Sequence, residues 1–96
     1  MIDDEFEWDD GKARANLKKH GVGFEDASLA FLDLFLIERD DRRLDYGEDR
    51  FLITGMVKGR LLSVAYTERN GLIRILSARP ASKREQDDDY RNQTPE

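Results

Sequence analysis

The 96-residue sequence predicts an α+β fold: an antiparallel β-meander sheet packed with two N-terminal helices and a C-terminal helix, in a single domain over residues 1–96. Three observations carry this. Residues 50–79 read RFLITGMV, KG, RLLSVAYTER, NG, LIRILSAR, three runs rich in β-branched and aromatic residues joined by two tight connections. Residues 11–19 carry helix signals at both ends, an acidic pair before and a glycine after. Pro80 then closes the last strand run and opens a polar, helix-forming segment.

The meander is fixed by its turns. Asn70-Gly71 suits a type I′ turn, in which both central residues need positive φ, and Lys58-Gly59 is a weaker version of the same signal. Two-residue loops without a bulge place Arg50, Thr67 and Arg74 in one cross-strand row. Phe51, Tyr66 and Ile75 form the next, and Ile53, Val64 and Ser77 a third. Phe51, Ile53, Val64, Tyr66, Ile73 and Ile75 then share the core face. The other face carries Arg50, Thr54, Ser63, Thr67, Arg69 and Arg74, with Leu52, Met56, Leu61, Ala65, Leu76 and Ala78 among them. Such a face can meet a polyanion, or it can stand solvated with its arginines serving solubility. Arg79 falls on the core face in this register, and only a bulge or an edge position would release it.

The remaining elements follow in chain order. Phe6 and Trp8 alternate with Glu5 and Glu7, the period of a short strand. Asp9 or Asp10 caps the first helix, Lys18, Lys19 and His20 crowd its last turn, and Gly21 ends it. Ala13, Leu17 and His20 lie at i, i+4 and i+7, which places them on its buried stripe. A second helix fits Phe24–Phe31, with Phe24, Ala27 and Phe31 inward. Residues 34–39 alternate as a further strand, and 40–48 read as a polar loop. The C-terminal helix covers about 81–91 and offers Lys83, Arg84 and Tyr90 as contacts, and 92–96 form a frayed tail.

Composition narrows the chemistry. The net charge is −5, but six acids (Asp3, Asp4, Glu5, Glu7, Asp9, Asp10) crowd the first ten residues. Between residues 42 and 79, eight bases (Arg42, Arg43, Arg50, Lys58, Arg60, Arg69, Arg74, Arg79) face four acids (Asp45, Glu48, Asp49, Glu68). The meander is thus locally basic, and local potential governs phosphate binding. With one histidine and no cysteine, no metal site is predicted. The serines lack a nucleophile-elbow context, and no glycine-rich phosphate loop is present. No apolar run reaches membrane-span length and the N-terminus is acidic, so a cytoplasmic protein without membrane contact is expected.

One reaction needs neither metal nor protein nucleophile. RNA supplies its own 2′-hydroxyl, which attacks the adjacent phosphorus and expels the 5′-oxygen. The protein must align the chain, stabilise charge on the phosphorane oxygens and move two protons. Arginines suit the charge, being planar, always ionised and bidentate. Arg50, Arg69, Arg74 and Arg79 are available for it, with His20, Lys19 or Tyr66 as proton carriers. His20 fits equally a structural histidine at a helix end. Trp8 offers a flat surface for an unstacked base, or a core ring. Lys83 adds a further RNA contact.

The blocks FEWDDGKARANLKKHGVGFEDA, GEDRFLITGMVKGRLLSVAYTER and IRILSARPASKRE, in that order over about residues 6–90, resemble the BrnT family, the toxin half of BrnT/BrnA type II toxin–antitoxin modules. The resemblance implies a RelE-like fold, endoribonuclease activity without a cofactor, and neutralisation by a BrnA-like antitoxin with a ribbon-helix-helix element. It also implies contact with operator DNA only through that antitoxin. Trp8, Lys19, His20, Arg50, Arg69, Arg74 and Arg79 occupy the family positions. The acidic first decade departs from the usual basic character of such toxins. Two rivals remain: an inactive RelE-like module acting in a repressor complex, and a stand-alone RNA-binding domain.

Overall fold

The computed structural model describes residues 4–33, 37–40 and 50–93. The chain runs β1 (Phe6–Glu7), α1 (Asp10–His20), α2 (Phe24–Leu29), a 3₁₀ turn (Ala30–Leu32), β2 (Ile37–Asp40), β3 (Phe51–Val57), β4 (Arg60–Arg69), β5 (Leu72–Pro80) and α3 (Lys83–Gln93). Five strands form one sheet in the order β1-β5-β4-β3-β2. The meander is antiparallel as predicted, but the sheet as a whole is mixed, because β1 returns along β5 in parallel.

Both hairpin turns have positive φ at their two central residues, 50° and 83° at Lys58 and Gly59 and 54° and 76° at Asn70 and Gly71, the type I′ signature. The β3–β4 register is the predicted one, with Phe51 opposite Tyr66 and Ile53 opposite Val64. Between β4 and β5 the first rows hold, Arg69 to Leu72, Thr67 to Arg74 and Tyr66 to Ile75, and then the register shifts. Ala65 pairs with Ser77, so Leu76 has no opposite number, and the third row becomes Ile53, Val64 and Ala78. This β-bulge reverses every later side chain of the strand. Ala78 turns into the core at 1% exposure, and Arg79 comes to stand opposite Ser63 on the other face.

The helices α1 and α2 pack on the core face, where Val22, Phe24, Ile53, Leu62, Val64 and Ile75 are buried. Each such side chain contributes about 1.5–3 kcal/mol through burial. Gly55 lets the 3₁₀ turn lie directly on β3, since a Cβ there would come within 2.6 Å of the Ala30 carbonyl oxygen. The cap signals of α1 hold: the Lys12 N–H donates to Asp9 Oδ2 at 2.8 Å, and Gly21, at φ 70°, closes the helix onto the Leu17 carbonyl.

The buried stripe of α1 is not the predicted one. Leu17 is 55% exposed, whereas Asn16 is 7% exposed. Asn16 is turned inward because its amide completes the open edge of β5. Nδ2 donates to the Ala78 carbonyl at 2.8 Å and to the Val22 carbonyl at 2.9 Å, and Oδ1 accepts from the Ala78 N–H at 3.1 Å. The part of β5 beyond the two-residue β1 has a bare backbone edge that needs such a partner, and this need outranks the small apolar gain from Leu17.

Other boundaries differ modestly. The second helix ends at Leu29 and tightens into the 3₁₀ turn, and α3 runs to Gln93, two residues into the segment predicted as a frayed tail. Of the fourth strand run, Ile37 to Arg39 lie in β2, while 34–36, the predicted loop over 41–48 and the tail over 94–96 lie outside the described residues. No helix among the described residues is long and apolar enough to cross a membrane.

Candidate nucleic-acid interface

The second face of the sheet is neither apolar nor simply solvated. Thr54, Ser63 and Thr67 are almost fully buried on it, and α3 crosses it near β2 and β3. Extending the β3–β4 register by one residue places Arg50, just before β3, opposite Thr67. Thr67 faces Arg74, and Arg74 faces Glu7 of β1. One row across four chain segments therefore reads Arg50, Thr67, Arg74, Glu7. Arg69 lies on the same face, at the end of β4 beside the Asn70-Gly71 turn.

Arg74 Nη1 lies 3.4 Å from Glu7 Oε1, with the two side chains 27% and 11% exposed. That Glu7 oxygen accepts no hydrogen bond, so the contact is an ion pair of loose geometry.

Arg79 forms a second, tighter station, roughly 13 Å from Arg74 along the sheet as judged from the strand rise. Its Nη1 donates to Glu85 Oε1 at 2.7 Å and its Nη2 to Glu85 Oε2 at 3.1 Å. Nη1 also reaches the Pro80 carbonyl at 3.4 Å. Glu85 is held in turn by α3. The Ser82 N–H donates to Glu85 Oε1 at 2.8 Å, and the Glu85 N–H donates to Ser82 Oγ at 3.2 Å, a capping box. Ser63 donates to the same carboxylate, and its Oγ lies 3.1 Å from Thr54 Oγ1. Burial alone would raise the Glu85 carboxyl, but the hydrogen bonds from Arg79, the Ser82 backbone and Ser63, with the Arg79 charge, outweigh it and bring the pKa down to about 2. A hollow of about 310 Å³ beside this station is lined by Leu52, Ser82, Arg84, Glu85 and Asp88.

The other sequence-predicted residues lie elsewhere. Trp8 is 5% exposed and packs edge-to-face on Phe24 with ring centroids 5.9 Å apart, so it is a core ring and presents no face to a base. Tyr66 is buried between Phe31 and Phe51, on the core side of the sheet, and its hydroxyl donates to Glu38 Oε2 at 2.7 Å. Burial first, then the Glu38 hydrogen bond and the Glu38 and Glu68 charges, push the phenol upward, which fixes the proton and makes Tyr66 a brace between β4 and β2. Lys19 is exposed and His20 half-buried at the end of α1, the helix that packs on the core side. The same helix reaches the β5 edge through Asn16, which holds the Ala78 backbone next to Arg79 in sequence. Lys83 is exposed at the start of α3.

Sequence reasoning did not single out Glu85, Ser82, Glu7 or Asn16. The signal for the first two was present: Ser82-Lys-Arg-Glu85 has the S-x-x-E spacing of a capping box. Glu7 could have been placed from the alternation of Phe6 and Trp8 with Glu5 and Glu7, which sets it on the face opposite Phe6.

The structure is thus an α+β protein whose sheet gathers arginines from separate chain segments beside buried hydroxyls on one face. A family model described as ribonuclease toxin, BrnT, of type II toxin–antitoxin system matches residues 8–85, and the chain belongs to this family. Membership brings an antitoxin as partner and RNA as target. No curated protein matches the chain.

Proposed function

We propose that this protein is the metal-independent endoribonuclease toxin of such a module, a single RelE-like domain over residues 1–96 that cleaves RNA by attack of its own 2′-hydroxyl. The supporting observation is the gathering of Arg50, Arg74 and Arg79 on one sheet face. Arg79 enters that face only because of the bulge at Leu76. In this reading Arg79 and Arg74 grip phosphate and stabilise the phosphorane, Arg50 and Arg69 extend the track for the backbone, and Lys83 adds charge from α3. In this reading the RNA supplies the nucleophile and the arginines carry the developing charge, so the route calls for no metal. His20 and Lys19 serve as proton carriers only if RNA wraps the β5 edge between the two faces. A BrnA-like ribbon-helix-helix antitoxin neutralises the toxin and carries the complex to operator DNA.

The test is an RNA digest with purified protein in EDTA. The expected products end in 2′,3′-cyclic phosphate and 5′-hydroxyl. Cleavage that requires added divalent metal, or leaves 5′-phosphate, contradicts the mechanism.

A second reading has its own observation. Both Arg74 and Arg79 are paired with carboxylates, Glu7 and Glu85, which lowers the net positive charge offered to RNA. This favours an inactive module that assembles with its antitoxin on DNA. Protein that leaves RNA uncut yet binds a ribbon-helix-helix partner would establish that alternative.

A further inference from the structure

The Arg79 guanidinium has five N–H donors, and the structure shows how they are divided. Glu85 takes the Nη1 and Nη2 end of the fork, and the Pro80 carbonyl takes the second Nη1 hydrogen. Among the described residues, Nε–H and the remaining Nη2–H have no acceptor. These two donors lie along one edge of the plane and match two oxygens of a phosphate, and the side chain is 34% exposed. Glu85 itself is 10% exposed at its side chain and is anchored by the α3 capping box and by Ser63. The guanidinium plane is thereby fixed to both the sheet and the helix.

We propose that Glu85 is the positioning residue of Arg79: by holding the Nη1/Nη2 end of the guanidinium, it leaves the Nε/Nη2 edge oriented for the RNA phosphate. The proposal rests on the assignment of RNA to this face. It adds a residue that touches no substrate and acts through another. A freely rotating arginine would still attract phosphate, but it would pay an ordering cost at each encounter and lose the bidentate geometry on which charge stabilisation depends.

The experiment is a double-mutant cycle on Glu85→Gln and Arg79→Ala. It reads two quantities, cleavage rate on RNA and affinity for a 2′-O-methyl oligoribonucleotide that cannot be cut. Glu85→Gln keeps an oxygen for the Ser82 N–H but loses the second acceptor facing Arg79. Expected are a folded protein with a thermal midpoint below that of the wild type, cleavage slower by about 10- to 100-fold, affinity weaker by about 10-fold, and no further loss of rate or affinity when the change is made in Arg79→Ala. Glu85→Asp, which keeps the charge at a shorter reach, covers the case in which the glutamine variant does not fold. It should fall between wild type and Glu85→Gln.

Unchanged affinity and rate, faster cleavage, or a loss that adds in full to that of Arg79→Ala would overturn the proposal. The last result would reduce Glu85 to a helix cap. If the wild type binds the oligonucleotide but never cuts RNA, the nuclease reading fails, while the affinity cycle still decides the role of Glu85.

Discussion

Arg74 and Arg79 stand on one strand and one face, yet they are held very differently. Arg79 meets Glu85 through two hydrogen bonds of 2.7 and 3.1 Å, and Glu85 is locked by a helix cap. The backbone of its neighbour Ala78 is clamped from the other side by Asn16. Arg74 meets Glu7 at 3.4 Å, and Glu7 sits on a strand of two residues. The difference shows that a charged row on a sheet does not by itself make a site. What distinguishes Arg79 is that a bulge, a cap and an edge clamp converge to fix one guanidinium, while Arg74 keeps the freedom to follow a substrate.

The largest expected effect is on Arg79. Replacing it with alanine should slow RNA cleavage by about 10²–10³-fold, the magnitude of losing a fixed oxyanion donor, and relieve growth arrest on expression. Arg74→Ala should cost about tenfold, because a loosely held group contributes less in the transition state. Equal losses at the two positions would erase the distinction drawn between them.

Next comes the clamp on β5. Asn16→Leu leaves the Ala78 N–H and the Ala78 and Val22 carbonyls without their side-chain partner, and should lower stability in urea by about 2–3 kcal/mol. Leu17→Ala, one residue away on the exposed side, should change it by less than about 0.5 kcal/mol. The reverse order would restore the stripe read from the sequence.

The pH dependence of stability is a further check on the Glu85 station. Its carboxyl falls from the ordinary 4.5 to about 2 on folding. A depressed folded value contributes stability that is present above the unfolded value and is lost as pH drops from about 4.5 towards 2. Urea midpoints of the wild type should therefore fall over that window more steeply than those of Glu85→Gln. Parallel curves would show that Glu85 is not held as described.

The smallest expected effect is at Trp8. As the sole tryptophan and a buried one, it should be poorly quenched by iodide, and its emission should not change when RNA is added. Strong quenching by RNA would return it to the interface.

These contrasts also show what the sequence made legible. The meander, its β3–β4 register and the capped first helix could be read because their determinants are local: Lys58-Gly59, Asn70-Gly71, Asp9 and Gly21 each act within a few residues. The bulge at Leu76 left no such mark, and so Arg79 was placed on the wrong face unless a bulge was allowed. Its cause is not local, since shifting the register buries Ala78 beneath α1 and lets Asn16 complete the strand edge. The parallel return of β1 is equally long-range. For the site, the arginines were legible as chemistry but their partners were not. Glu85 and Glu7 look like ordinary surface acids until the fold brings them opposite a guanidinium, whereas Trp8 and Tyr66 look like recognition groups until the core encloses them.

The most direct test of the account is to find which face of the sheet RNA touches. Arginine Nε–Hε resonances can be followed by NMR as a 2′-O-methyl oligoribonucleotide is added, with the backbone signals of α1 as a control. The account predicts that Arg79 shifts most and Arg74 less, while Lys19 and His20 move only slightly. Shifts confined to Lys19, His20 and the rest of α1, with Arg74 and Arg79 unmoved, would place the RNA on the opposite side and contradict it.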